Sequence, residues 1–96
     1  MKICKQFLIF GRVQGVGFRR FVKAKVDIMN EEKECLSGYV RNLADGSVQV
    51  VAQGDEDILQ KLEELLKVGT IKSVVERIES TTLEIDEILN GFEIIK

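Results

Sequence analysis

A chain of 96 residues, 45% hydrophobic and 31% charged, has material for one core and is expected to form a single domain over residues 1–96. It contains no histidine, tryptophan or proline, which excludes Ser–His and Cys–His nucleophiles, phosphohistidine chemistry and His-ligated zinc or iron. The net charge is only −2, but residues 1–26 hold Lys2, Lys5, Arg12, Arg19, Arg20, Lys23 and Lys25 and no acid, so the sixteen acids all lie beyond.

In chain order, residues 3–10 are apolar and β-prone, the pattern of a first strand with Phe7 and Ile9 facing the core. A glycine-rich stretch follows. From Phe18 on, Phe18, Phe21, Val22, Val26 and Met29 recur at helical spacing, up to the polar run Asn30-Glu31-Glu32-Lys33. Residues 36–43 read as a strand, Ala44-Asp45-Gly46 as a hairpin turn, and 47–53 as the partner strand with Val48, Val50 and Ala52 inward. Residues 55–68 suit a second helix, capped by Asp55, with Ile58, Leu62, Leu65 and Leu66 on one stripe and Glu63/Lys67 as an i,i+4 pair. Residues 73–86 are β-rich, with Val74, Ile78 and Leu83 prominent; Asn90-Gly91 is a turn and 92–95 a short last strand. The order is β-α-β-β-α-β with a tail strand, which implies an α+β fold. It is the ferredoxin-like βαββαβ sandwich, an antiparallel sheet with both helices on one face and a short extra C-terminal strand.

The chemistry concentrates in Gly11-Arg12-Val13-Gln14-Gly15-Val16-Gly17-Phe18-Arg19, between the first strand and the first helix. Glycines let a main chain approach a ligand closely, and free N–H groups at a helix start favour an anion. The pattern is not a Walker A loop: Val16 stands where the second glycine belongs, and no Lys-Ser/Thr pair follows. Nor is it the dinucleotide fingerprint, because Arg20 replaces its last glycine. Spacing alone leaves a phosphate or carboxylate site and a plain structural turn both open. A small local anion suits this charge distribution better than a nucleic acid, which calls for a broad basic face.

Two motifs carry a family resemblance. Gly11 to Arg19 resembles the signature loop of the acylphosphatases, and Gly38-Tyr39-Val40-Arg41-Asn42 with Asp45-Gly46 resembles their second signature. Gly91-Phe92-Glu93-Ile94 is similar to the family's closing strand, so the resemblance covers essentially the whole chain. It implies hydrolysis of acyl phosphates to a carboxylate and inorganic phosphate, without metal or cofactor. Carried over, the family's phosphate-binding arginine is Arg19 and its water-positioning asparagine is Asn42. The backbone N–H groups of Gly15, Val16, Gly17 and Phe18 make the phosphate cradle. Arg12 and Arg20 are expected to be exposed helpers or bystanders. The interval between Arg19 and Asn42 exceeds the family norm by more than a helical turn of about 3.6 residues. The surplus is placed in Asp27–Cys35, where it can alter the rim of the site.

Two rivals belong to other classes. Cys35-Leu-Ser-Gly-Tyr-Val-Arg41 has the cysteine–arginine spacing of the protein tyrosine phosphatases, but its middle reads as a strand and no Ser or Thr follows Arg41. An inactive ferredoxin-like module binding a small anion, a partner or RNA is the non-enzymatic alternative. Phe10 and Tyr39 could stack bases, yet aromatic residues make up only 6% of the chain. Cys4 and Cys35 lack CxxC spacing and read as reduced thiols. No apolar run approaches the roughly 20 residues of a membrane span, and the start shows no signal-peptide pattern. The expectation is a cytoplasmic monomer acting on a small-molecule acyl phosphate, with neither nucleic acid nor membrane as partner.

Overall fold

The computed structural model describes residues 1–31 and 35–95. Its elements are β1 (Lys2–Arg12), α1 (Phe18–Asn30), β2 (Leu36–Asn42), β3 (Val48–Asp55), α2 (Glu56–Val68), β4 (Val74–Leu83) and β5 (Phe92–Ile95). The strands form one sheet in the order β4-β1-β3-β2-β5. β1 lies antiparallel to β3 and β4, and β2 antiparallel to β3.

The sheet is mixed rather than wholly antiparallel, because β5 runs parallel to β2. The cause is topological. β4 ends where Leu83 pairs with Cys4, at the end of the sheet where β2 also begins. A chain that crosses that end and then adds a strand beyond β2 has to run in β2's direction. The crossing is held midway by Gln53 of β3, whose Nε2 donates to the Asp86 carbonyl (3.0 Å) while its Oε1 accepts the Asp86 N–H (2.8 Å).

The core lies between the sheet and the two helices. Phe18, Val22 and Val26 of α1 and Leu59, Leu62 and Leu66 of α2 are buried against Phe7, Ile9, Val40, Val48, Val50 and Ala52. Each such side chain taken from water contributes about 1.5–3 kcal/mol. Leu59 takes its place in the α2 stripe beside Leu62 and Leu66, while Ile58 and Leu65 are half-buried. On β3 the inward set is as the alternation predicts, yet Gln49, Val51 and Gln53 on the opposite face are buried too. There Gln49 accepts from Arg41 Nε (2.6 Å) and donates to Gln6 Oε1 (2.6 Å), so its amide is paired across three strands. A central strand hidden on both faces stays polar on one only if those groups bond each other.

Two local expectations are corrected. Asp55 stands at the N-cap of α2 but makes no side-chain cap bond. The first helical N–H, from Glu56, donates instead to the Met1 carbonyl (3.1 Å), and the Asp55 carboxylate lies 3.9 Å from the amino terminus. Among the described residues the i,i+4 ion pair is Lys23–Asp27 on α1, at 2.7 Å, and not Glu63–Lys67.

The described ends of the surplus segment lie at the far end of the sheet from the glycine-rich loop. Asn30 closes its base: its Oδ1 accepts the N–H groups of Cys35 (3.0 Å) and Leu36 (2.9 Å), and its Nδ2 donates to the Leu36 carbonyl (3.0 Å). This is the C-terminal end of α1 and the start of β2, the opposite end of the sheet from residues 13–17. Glu32, Lys33 and Glu34, the middle of that segment, lie outside the described residues.

Candidate active site

β1 pairs with β4 through a register shift at Phe10/Gly11 and ends at Arg12, which still pairs with Val74. The chain then turns through residues 13–17 into α1. Gly15 and Gly17 take φ of +74° and +76°, a left-handed conformation that L side chains rarely adopt. Gly17 is the N-cap and has no side chain with which to occupy the helix start, and the first turn holds no acid. The first intrahelical bond runs from Phe21 N–H to Gly17 O, at 3.0 Å. The N–H groups of Phe18, Arg19 and Arg20 precede it and have no partner within the helix. They give this end of α1 its partial positive charge.

A cleft of about 320 Å³ opens at this point. Gly15, Gly17, Phe18 and Arg19 line one side of it, and Asn42, the last residue of β2, comes in from the sheet. Val13 and Arg20 complete the lining. The Phe18 side chain is buried in the core against Phe21 (centroids 5.9 Å apart), so Phe18 offers the cleft its backbone. Among the described residues, none that lines the cleft is acidic, a histidine or a cysteine. The cleft therefore supplies guanidinium, amide and backbone N–H donors and no side chain able to take a proton at neutral pH. It suits a ligand that brings its own negative charge.

Five of the six residues singled out in the sequence, Gly15, Gly17, Phe18, Arg19 and Asn42, meet in this cleft. Val16 does not line it: the side chain packs on the core, and the carbonyl accepts a bond from Thr70 Oγ1 at 3.2 Å. Arg12 and Arg20 are both exposed, as expected; Arg12 stays outside the lining, and Arg20 lines the cleft, where a helper would stand. Arg20 was legible only as one cation among several; its position one residue beyond Arg19 on the first helical turn brings it in. Two side chains without a sequence signal of their own tie the loop from outside the lining: Thr70 donates to the Val16 carbonyl, and Gln14 to the carbonyls of Leu43 and Ser47.

The cysteine–arginine rival does not form a site. Cys35 and Arg41 are six positions apart along an extended strand, about 20 Å. Arg41 is occupied on the sheet face by Gln49. Cys35 lines a second hollow of about 490 Å³ at the opposite end of the sheet. Among the described residues Lys2 is the one cation lining that hollow, and Asp55 and Asp57 face it, a poor setting for phosphate. Burial, and after it the charge of Asp86, push the Cys4 thiol up, and its side chain is buried, both of which disfavour a reactive thiolate.

The sequence profile described as Acylphosphatase matches residues 5–94. An acylphosphatase of Helicobacter hepaticus is 62% identical over 96 residues, covering all of both chains. The crystal structure of acylphosphatase from Bacillus subtilis superposes with a TM-score of 0.88 at 36% identity, again over the full length of both. An acylphosphatase structure from Coxiella burnetii matches with a TM-score of 0.86 at 29% identity, over 98% of this chain and 93% of that one. Sequence, fold and the donor-lined cleft agree, and this chain belongs to the acylphosphatase family, the hydrolases of acyl phosphates.

Proposed function

We propose that the cleft at the start of α1 is where this hydrolysis takes place, with Arg19 and the backbone of Gly15, Gly17 and Phe18 holding the phosphoryl group and Asn42 positioning the water. One observation carries this: the anion-ready helix start and Asn42 share a cleft in which no described residue offers a side chain able to take a proton at neutral pH. The Arg19 guanidinium takes two phosphoryl oxygens, and the N–H groups of the helix start take the rest. The Asn42 carbonyl accepts a bond from the water and aims its oxygen at phosphorus, opposite the leaving carboxylate. The new P–O bond forms as the bond to the acyl oxygen breaks, and the carboxylate departs with that electron pair. The water's proton passes to an oxygen of the transferred phosphoryl group, giving carboxylate and inorganic phosphate. A loose phosphoryl-transfer transition state asks for position and charge more than for a strong base.

Arg20 adds a second positive charge to the cleft. The same reading makes the protein a cytoplasmic monomer of one domain, 1–96, with no nucleic-acid partner. Its two thiols are free. Edge strand β4 carries exposed Glu76, Arg77 and Glu79, and edge strand β5 is four residues long, features that discourage edge-to-edge pairing. No helix among the described residues is long and apolar enough to cross a membrane.

The test is hydrolysis of an aromatic acyl phosphate in excess chelator by wild type, Arg19→Ala and Asn42→Ala, each checked for fold by circular dichroism. Wild type turns over; loss of the phosphoryl-binding donor in Arg19→Ala lowers kcat/KM by about 10²–10³, and loss of the group that holds the water in Asn42→Ala lowers it by about 10²-fold. A folded wild type without turnover, or an Arg19→Ala variant as fast as wild type, overturns the assignment.

A further inference from the structure

The phosphate loop and Asn42 reach the cleft from different elements, and one side chain spans them. Gln14 immediately precedes Gly15, and its amide Nε2 donates to two carbonyls of the β2–β3 hairpin: Leu43 O at 2.8 Å and Ser47 O at 2.9 Å. Leu43 immediately follows Asn42. The same two residues close the neck of the hairpin, since Leu43 N–H donates to Ser47 O (2.9 Å) and Gly46 N–H to Leu43 O (3.2 Å). Each carbonyl thus accepts two bonds, and both hydrogens of the Gln14 amide are used. The loop's other side is tied separately, through Thr70 Oγ1 to Val16 O, with Thr70 itself held by Ser73.

The geometry points to Gln14 as a positioning residue that sets the separation of the phosphate cradle from Asn42. This rests on the roles proposed above for Arg19 and Asn42. Gln14 is not among the residues that line the cleft. Its effect runs through the neighbours on either side: with the amide in place, the hairpin bearing Asn42 cannot drift relative to residues 15–19. Without it, the cradle still binds phosphate but the water is no longer held in line. A misplacement of about 1 Å costs on the order of 10²-fold in rate.

The experiment compares wild type, Gln14→Met, Asn42→Ala and the double variant, reading kcat on an aromatic acyl phosphate and competitive inhibition by inorganic phosphate. Met matches the length of Gln and removes both donors. The expected result is a fall in kcat of about 10–100-fold for Gln14→Met, the range a displacement of up to about 1 Å allows, with the phosphate inhibition constant within about twofold of wild type. In the Asn42→Ala background the Gln14→Met change has no further effect beyond about threefold, the coupling that a shared role produces. Where Gln14→Met does not fold, Gln14→Asn, which keeps the amide but withdraws it by one methylene, gives the same comparison. A variant with wild-type kcat, a parallel loss of phosphate binding, or a full multiplicative effect on top of Asn42→Ala overturns the positioning role. Activity that survives Asn42→Ala undoes the parent assignment instead, so the two failures are distinguishable.

Discussion

Asp45 sits in the turn that presents Asn42 and accepts two bonds at Oδ1, from the Ser47 N–H (2.9 Å) and the Ser47 hydroxyl (2.6 Å). These bonds, the hydroxyl's first, hold its carboxyl below the ordinary value of 3.8. A carboxyl lowered in the folded state adds stability that is fully present above the unfolded value and lost as pH falls through the folded one. The hairpin is therefore expected to loosen in acid, below pH 3.8. Amide hydrogen exchange at residues 43–47 would register it. Asp45→Asn keeps an acceptor at the same place and removes the titration, so its protection is expected to stay flat across that range. A variant as acid-sensitive as wild type would show that other carboxyls govern the turn. At this scale residue type named the candidates: Asp-Gly announces a turn, and arginine beside glycines admits an anion site. Gln14 was not, because nothing in its neighbours along the chain says that two carbonyls some thirty residues away need a donor.

Among elements, β1 shows how the loop is aimed. Its register against β4 slips between Phe10 and Gly11, just before the strand gives way to the glycine-rich turn. Gly11 has φ +129°, and a Cβ built there would stand 2.1 Å from the Val74 carbonyl oxygen. Gly11→Ala must therefore push the β4 backbone away from the root of the loop. The expected cost is about 1–3 kcal/mol of backbone strain, read as a fall in Tm of roughly 4–8 °C per kcal/mol. A Tm unchanged from wild type would mean that β4 yields freely there. The periodicities predicted the elements themselves, since apolar spacing of 3.6 or 2 is a local property. They misjudged the start of α2, where the carbonyl of Met1 takes the part assigned to Asp55. A cap supplied by a residue more than fifty positions away leaves no local trace.

For the whole molecule, one core holds every element that carries the cleft. α1 is pinned by Phe18, Val22 and Val26, and α2 by Leu59, Leu62 and Leu66. Leu62, with no exposed surface, is a fair probe: Leu62→Ala is expected to destabilise by about 2–5 kcal/mol, a large share of the roughly 5–15 kcal/mol of a whole domain. Denaturant unfolding would measure it; a loss under about 1 kcal/mol would mean that the core collapses around the gap. Element order, the split βαβ plan, the anion-ready loop and the candidacy of Arg19 and Asn42 all follow from the chain read alone. Each rests on local periodicity, on residue chemistry, or on a signature a few residues long. The direction of β5, the burial of β3 on both faces, the entry of Arg20 into the cleft and the Gln14 bridge were settled only by the packed molecule. They depend on distances between residues far apart in the chain, and those distances exist only once the sheet has closed.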